Sequence, residues 1–169
     1  MTSSDASGLT WFNSAGEGDA RAALTEVCAS GSWVGKVLAQ RPYASEEELA
    51  AASDAAMAEL TAEDLDQAMA GHPPIGRPKP GDPTSSREQR GMAGASEELK
   101  EEMLELNLAY QDKFGHVFLI CATGLTGEQM RDAVRNRIDN SPEQEREIVR
   151  GELTKINRIR LNRLAEEGA

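Results

Sequence analysis

The run SEELKEEMLELNLAYQDKFG, residues 96–115, constrains the fold more than any other stretch of this chain. Leu99, Met103, Leu106, Tyr110 and Phe114 recur at steps of three or four, which puts them on one stripe of an α-helix. Gly115 follows as the stop that such a helix needs, because glycine accepts the left-handed turn closing the last carbonyls. A chain built from stripes of this period must bury them against other helices.

The same period recurs on both sides of that run. Short helices are expected over residues 17–29, with Leu24, Val27 and Cys28 inward, and over 31–40, with Trp33 and Val37 inward. Ser45 and Glu48 have capping-box spacing ahead of Leu49, Ala52, Ala56 and Leu60. Thr61 is the candidate N-cap before Leu65, Ala68 and Met69, and Gly71 the stop. Thr126 caps a helix carrying Met130, Ala133, Val134 and Ile138. The segment SPEQ, residues 141–144, opens the last helix with Pro142 at its first position. Val117–Ala122 has no helical period and reads as a buried extended segment. The expectation is an all-α, single compact domain of about eight helices and no paired strands. It covers residues 11–165, after a disordered stretch of about ten residues.

Charge narrows the partners. The chain has 169 residues and a net charge of −11, which argues against nucleic acid and anionic membranes. Residues 131–163 hold nine of the 18 basic residues against six acids, so that segment is +3 and the remainder −14. A basic region in an acidic protein can focus a small anion. Cys28 and Cys121 are too few for a disulfide framework and read as buried thiols of a reducing compartment. With no secretory pattern at the N-terminus and no apolar run of membrane length, a cytoplasmic location is expected.

Three places could carry chemistry, and each has a plain structural reading beside the functional one. His72 precedes a loop, residues 72–84, that holds five of the seven prolines. It is either a surface residue past a helix stop or, held by Pro73–Pro74, a general acid/base. Ser85-x-x-Glu88-Gln89 is either a helix cap or a set of polar groups turned to an anion at a helix start. Arg160 falls on the stripe Val149, Leu153, Ile156, Leu164 of the last helix, whereas Arg158 points elsewhere. An arginine there either snorkels to water or reaches into a cleft to hold a carboxylate. His116 reads as packing. Two histidines 44 residues apart make a weak metal site. The sequence has neither a phosphate loop nor a nucleophile elbow. Any chemistry is therefore expected to be acid/base work without metal or organic cofactor.

At HPPIG, SSREQRG, LNLAYQDKFGHVFLICATG and ELTKINRIRLNRL the sequence resembles the 2-oxo-4-hydroxy-4-carboxy-5-ureidoimidazoline (OHCU) decarboxylases of urate degradation. CASGSWVGKVLAQRPY resembles that family's N-terminal pattern as well. The resemblance covers roughly residues 11–165, and its specificity lies in four motifs occurring in order. It implies His72 as catalytic acid/base, Glu88 as its companion and Arg160 as the site arginine. Pro73, Ser85 and Gln89 match substrate-contacting positions, and Ile120, Cys121 and Ala122 the segment whose backbone meets the substrate. It further implies a homodimer acting on a small anionic ureidoimidazoline, with (S)-allantoin as product. Three departures stand out: His116 replaces the usual aromatic after KFG, a tryptophan before the HP motif is absent, and the 72–84 loop is short. A second reading stays open at this point: a helical binding or scaffold module of the same fold that has lost catalysis.

Overall fold

Side-chain caps mark where the helices begin. Ser30, Ser45 and Ser96 each accept a hydrogen bond from the backbone N–H three residues on. Thr61 with Asp64, Thr126 with Gln129, and Ser141 with Gln144 close reciprocal boxes in which each side chain bonds the other's backbone. Such caps satisfy amide groups that the first turn leaves open. A computed structural model describes residues 7–72 and 88–168. Its helices are α1 (Ser7–Ser14), α2 (Glu17–Val27), α3 (Gly31–Ala39), α4 (Glu46–Ala58), α5 (Ala62–Ala70), α6 (Arg90–Ala93), α7 (Glu97–Phe114), α8 (Gly127–Arg137) and α9 (Pro142–Glu167). No strand occurs among the described residues, so the fold class is all-α as expected. The helix α1 starts inside the stretch expected to be disordered, because Leu9 and Phe12 give it an apolar face to bury. The proline-rich loop, with Pro73 and Ser85, lies outside the described residues.

The chain divides into two compact units, Met1–Ala68 with Thr154–Ala169, and Met69–Leu153. In the first, Phe12, Leu24, Trp33, Val37, Leu49, Met57 and Leu65 are buried. The largest of them keeps its polar atom satisfied, since Trp33 Nε1 donates to Ser53 Oγ at 3.1 Å. Arg41 Nη1 donates to the carbonyls of Phe12 and Ala15, both at 2.8 Å, and so closes the end of α1. Tyr43 OH donates to the Val37 carbonyl at 2.6 Å, and burial pushes its pKa up to about 12. At Gly8 a β-carbon would overlap the Leu164 carbonyl oxygen, so only glycine lets α1 approach the end of α9 so closely.

The second unit is built on Met92, Met103, Tyr110, Phe118, Ala122, Met130 and Val134, with Leu106, Phe114, Ile120, Leu125 and Ile138 packed against them. Helix α7 keeps Leu99, Met103 and Tyr110 buried as expected, but Asn107 takes an inward place while Leu106 and Phe114 are half-buried. Gly115 adopts the left-handed conformation, φ 81°, that ends α7. Glu102 on α7 pairs with both Arg131 and Arg135 on α8. Along α9 the buried line is Val149, Leu153, Ile156, Asn157, Leu161 and Leu164. Leu161 takes the place that the sequence stripe gave Arg160, which borders the line and is half-buried. The reason is the 3.6-residue turn, which shifts the inward position by one after Ile156.

Candidate active site

His72 lies just past α5, half-buried, its N–H donating to the Met69 carbonyl at 2.9 Å. It is thus anchored to the last turn of the helix. Glu88 is half-buried and Gln89 buried. The Gln89 carbonyl accepts from Met92 N–H at 2.9 Å, which forms the tight turn that opens α6. Two residues on, Gly91 abuts the Leu125 carbonyl so closely that a β-carbon would overlap it. Met92 then enters the core beside Ala122 and Met130. The Glu88–Met92 turn is thereby fixed against the end of the 117–126 segment. His72, Glu88, Gln89, Ile120, Cys121 and Ala122 all belong to the second unit, whereas Arg160 belongs to the first.

Residues 117–122 are outside any helix, as the absence of helical period implied. Phe118, Leu119 and Ala122 are buried, but Ile120 and Cys121 are only half-buried, so Cys121 is not the enclosed thiol expected of it. The Leu119 carbonyl accepts from Arg137 Nη1 at 2.7 Å. Cys121 N–H donates to Glu152 Oε1 at 3.0 Å. The Ala122 carbonyl accepts from Leu125 N–H at 3.0 Å, turning the chain towards α8.

Behind this segment lies a buried charged network that the sequence reading missed. Arg137 Nε and Nη2 donate to Glu145 Oε1 at 2.9 and 2.7 Å. Tyr110 OH donates to the same oxygen at 2.5 Å, and Asn140 Nδ2 to Oε2 at 3.0 Å. Burial would raise the Glu145 carboxyl, but the hydrogen bonds from Arg137, Tyr110 and Asn140, with the guanidinium charge, hold it below its ordinary value. Burial and the adjacent carboxylate push the Tyr110 phenol up, so it remains a donor. The Arg137 guanidinium also lies over the Phe118 ring, 4.6 Å from its centroid. Tyr110 is ringed by Phe114, His116 and Phe118 at centroid distances of 4.5, 5.6 and 5.3 Å, in keeping with His116 as packing.

In the first unit, Arg160 Nη1 donates to the Val27 carbonyl at 2.9 Å, at the end of α2. Next to it Cys28 is buried. Burial raises that thiol, against the Ser30 backbone, the Asn157 side chain and the Arg160 charge, which all lower it. Arg158 points elsewhere, as expected: it is exposed and binds Asp54 through Nε and Nη2 at 3.0 and 2.6 Å.

An all-helical chain with an anchored histidine, a Glu-Gln turn and a non-helical backbone segment in one unit defines a class, a helical domain with the inventory for acid/base chemistry. Residues 13–162 match the family described as OHCU decarboxylase, and the chain belongs to that family. It is 30% identical over 149 residues to the uric acid degradation bifunctional protein TTL of Arabidopsis thaliana, covering 84% of this chain and 46% of that protein. It is 33% identical over 92 residues to the uric acid degradation bifunctional protein PucL of Bacillus subtilis, covering 53% and 19%. The chain therefore spans less than half the length of either relative. Among solved structures it is similar to an OHCU decarboxylase crystallised in the presence of (S)-allantoin, with TM-score 0.75 and 27% identity, covering 85% of this chain and 96% of that one. It also shares its fold with an (S)-allantoin synthase, TM-score 0.67 at 19% identity.

Proposed function

We propose that this chain decarboxylates 2-oxo-4-hydroxy-4-carboxy-5-ureidoimidazoline to (S)-allantoin in urate degradation, without metal or organic cofactor. The observation that carries the reading is the match to the OHCU decarboxylase family over residues 13–162. It is supported by the likeness to an OHCU decarboxylase covering 96% of that chain.

The residues suit the chemistry. The substrate bears a carboxylate on a ring carbon beside a C=N bond. The bond from that carbon to the carboxylate breaks, CO₂ leaves, and the electron pair passes into the adjacent imine. The enol so formed gives up its hydroxyl proton to become the ring carbonyl, and a proton adds to one face of the neighbouring, ureido-bearing carbon, which becomes the stereocentre of (S)-allantoin. The ring is its own electron sink, so the protein has to orient it and move protons. In this proposal His72, with Glu88 as companion, relays protons to and from the substrate. Arg160 and Gln89 hold the anion, the guanidinium offering a paired set of donors to a carboxylate. Pro73, Ser85 and the backbone of residues 120–122 complete the contacts. The proposal includes a homodimer and a cytoplasmic location, the first checked by sedimentation and the second by fractionation. The reaction itself is tested by generating the unstable substrate from urate and following optical rotation, since uncatalysed decay gives racemic allantoin.

A further inference from the structure

We propose that Arg137 and Glu152 are positioning residues that clamp the backbone of residues 119–121 and thereby present Ile120 N–H and C=O to the substrate. The proposal rests on the decarboxylase reading, which places this segment at the substrate.

A backbone outside helix and sheet has no ladder to hold it, and its polar groups need other partners. Two charged side chains from different helices supply them here. Arg137, at the end of α8, donates to the Leu119 carbonyl at 2.7 Å. Glu152, on α9, accepts from Cys121 N–H at 3.0 Å. Hydrogen bonds with one ionised partner are the stronger kind, and two of them two residues apart fix both position and twist. In extended chain, polar groups of residues i and i+2 face one side and those of i+1 the other. Leu119 and Cys121 are each bonded to a charged side chain, and in this proposal Ile120 between them turns its own N–H and C=O away from the clamp. No described residue hydrogen-bonds either of them. The Ile120 side chain packs on the core, which stops the residue from rotating.

Arg137 is itself held by an ion pair. Glu145, fully buried, takes two of its donors and is in turn fixed by Tyr110 and Asn140. A buried ion pair adds little stability compared with apolar residues of the same volume. Its use here is directional, because the pair leaves Nη1 aimed at one carbonyl. The Cys121 amide is committed to Glu152, so the amide presented by this stretch is that of Ile120.

The test uses Glu152, at the half-buried edge of α9, where truncation leaves the core intact. Glu152→Ala should raise KM about 10-fold, the loss of about one charge-assisted hydrogen bond's ordering, with kcat changed less than about 3-fold and unchanged helical circular dichroism. Glu152→Gln keeps an acceptor and should restore KM. Hydrogen exchange at the Cys121 amide should be slow in the wild-type protein and in Glu152→Gln, and fast in Glu152→Ala. An unchanged KM in folded Glu152→Ala overturns the proposal, as does a glutamine variant as impaired as the alanine one. An inactive wild-type protein would overturn the decarboxylase reading and with it the substrate half of the proposal. The exchange rates would still decide whether the clamp exists.

Discussion

Gly91 and Leu125 meet backbone to backbone: no β-carbon fits between Gly91 Cα and the Leu125 carbonyl oxygen. This contact ties the turn carrying Glu88 and Gln89 to the segment that runs through Ile120–Ala122. It explains why a glycine closes the SSREQRG motif, although Gly91 has no positive φ. Neither backbone can yield without moving one of the two.

Gly91→Ala should therefore destabilise the protein by about 2 kcal/mol, in the range of overpacked sites. Urea unfolding measures it. Activity of the folded variant should fall as well, because the displaced turn carries Glu88.

The Glu145 network predicts a dependence on acid. Its folded carboxyl lies below the ordinary value of 4.5. The unfolded state then binds the proton first, so the contribution is complete above about that pH and is lost as pH falls through the folded pKa. The unfolding free energy of the wild-type protein should drop more steeply below pH 4.5 than that of Glu145→Gln, which has no carboxyl to titrate. Parallel curves would show that the carboxylate is not held as described.

Tyr110→Phe removes only the hydroxyl that donates to Glu145. The expected loss is about 2 kcal/mol, typical of a hydrogen bond to a charged group, since the carboxylate stays buried with one donor fewer. The ring contacts with Phe114 and Phe118 remain, so helical circular dichroism should not change. Calorimetry at neutral pH checks both.

His72→Ala should lower kcat/KM by roughly 10²- to 10⁴-fold, the range of a lost general acid or base, while the protein stays folded. The backbone bond from residue 72 to Met69 survives the substitution. Retained activity would take the proton-transfer role away from His72.

Much of the architecture was legible in the sequence. The stripes of α4 and α5 are buried residue for residue, Thr126 caps α8, and Pro142 opens α9 as the sequence implies. What sequence reading missed came from applying one rule unevenly. Arg160 drew notice as a charge on an apolar stripe, yet Glu145 lies on the same helix four residues before Val149 and eight before Leu153. Arg137 likewise follows Met130 and Val134 at helical spacing. Both are more buried than Arg160. A charge on an inward line was the available signal, and it marked a buried pair whose partner sits on another helix. Asn107 was overlooked for the opposite reason: a polar residue between Leu106 and Leu108 looks outward until the turn of α7 is counted in full. The 117–122 segment reads from sequence as buried and extended, but its partners do not, because its bonds to Arg137 and Glu152 join residues 18 and 31 positions apart.

Turnover of the ureidoimidazoline is the property on which the assignment of this chain stands. Urate is oxidised enzymatically in the presence of the purified chain, and optical rotation is followed as the unstable ureidoimidazoline forms. The expected result is a rapid one-handed signal of (S)-allantoin that scales with protein concentration and disappears with His72→Ala. A signal no faster than spontaneous decay, ending in racemic allantoin, would overturn the decarboxylase reading and leave a helical binding module of the same fold.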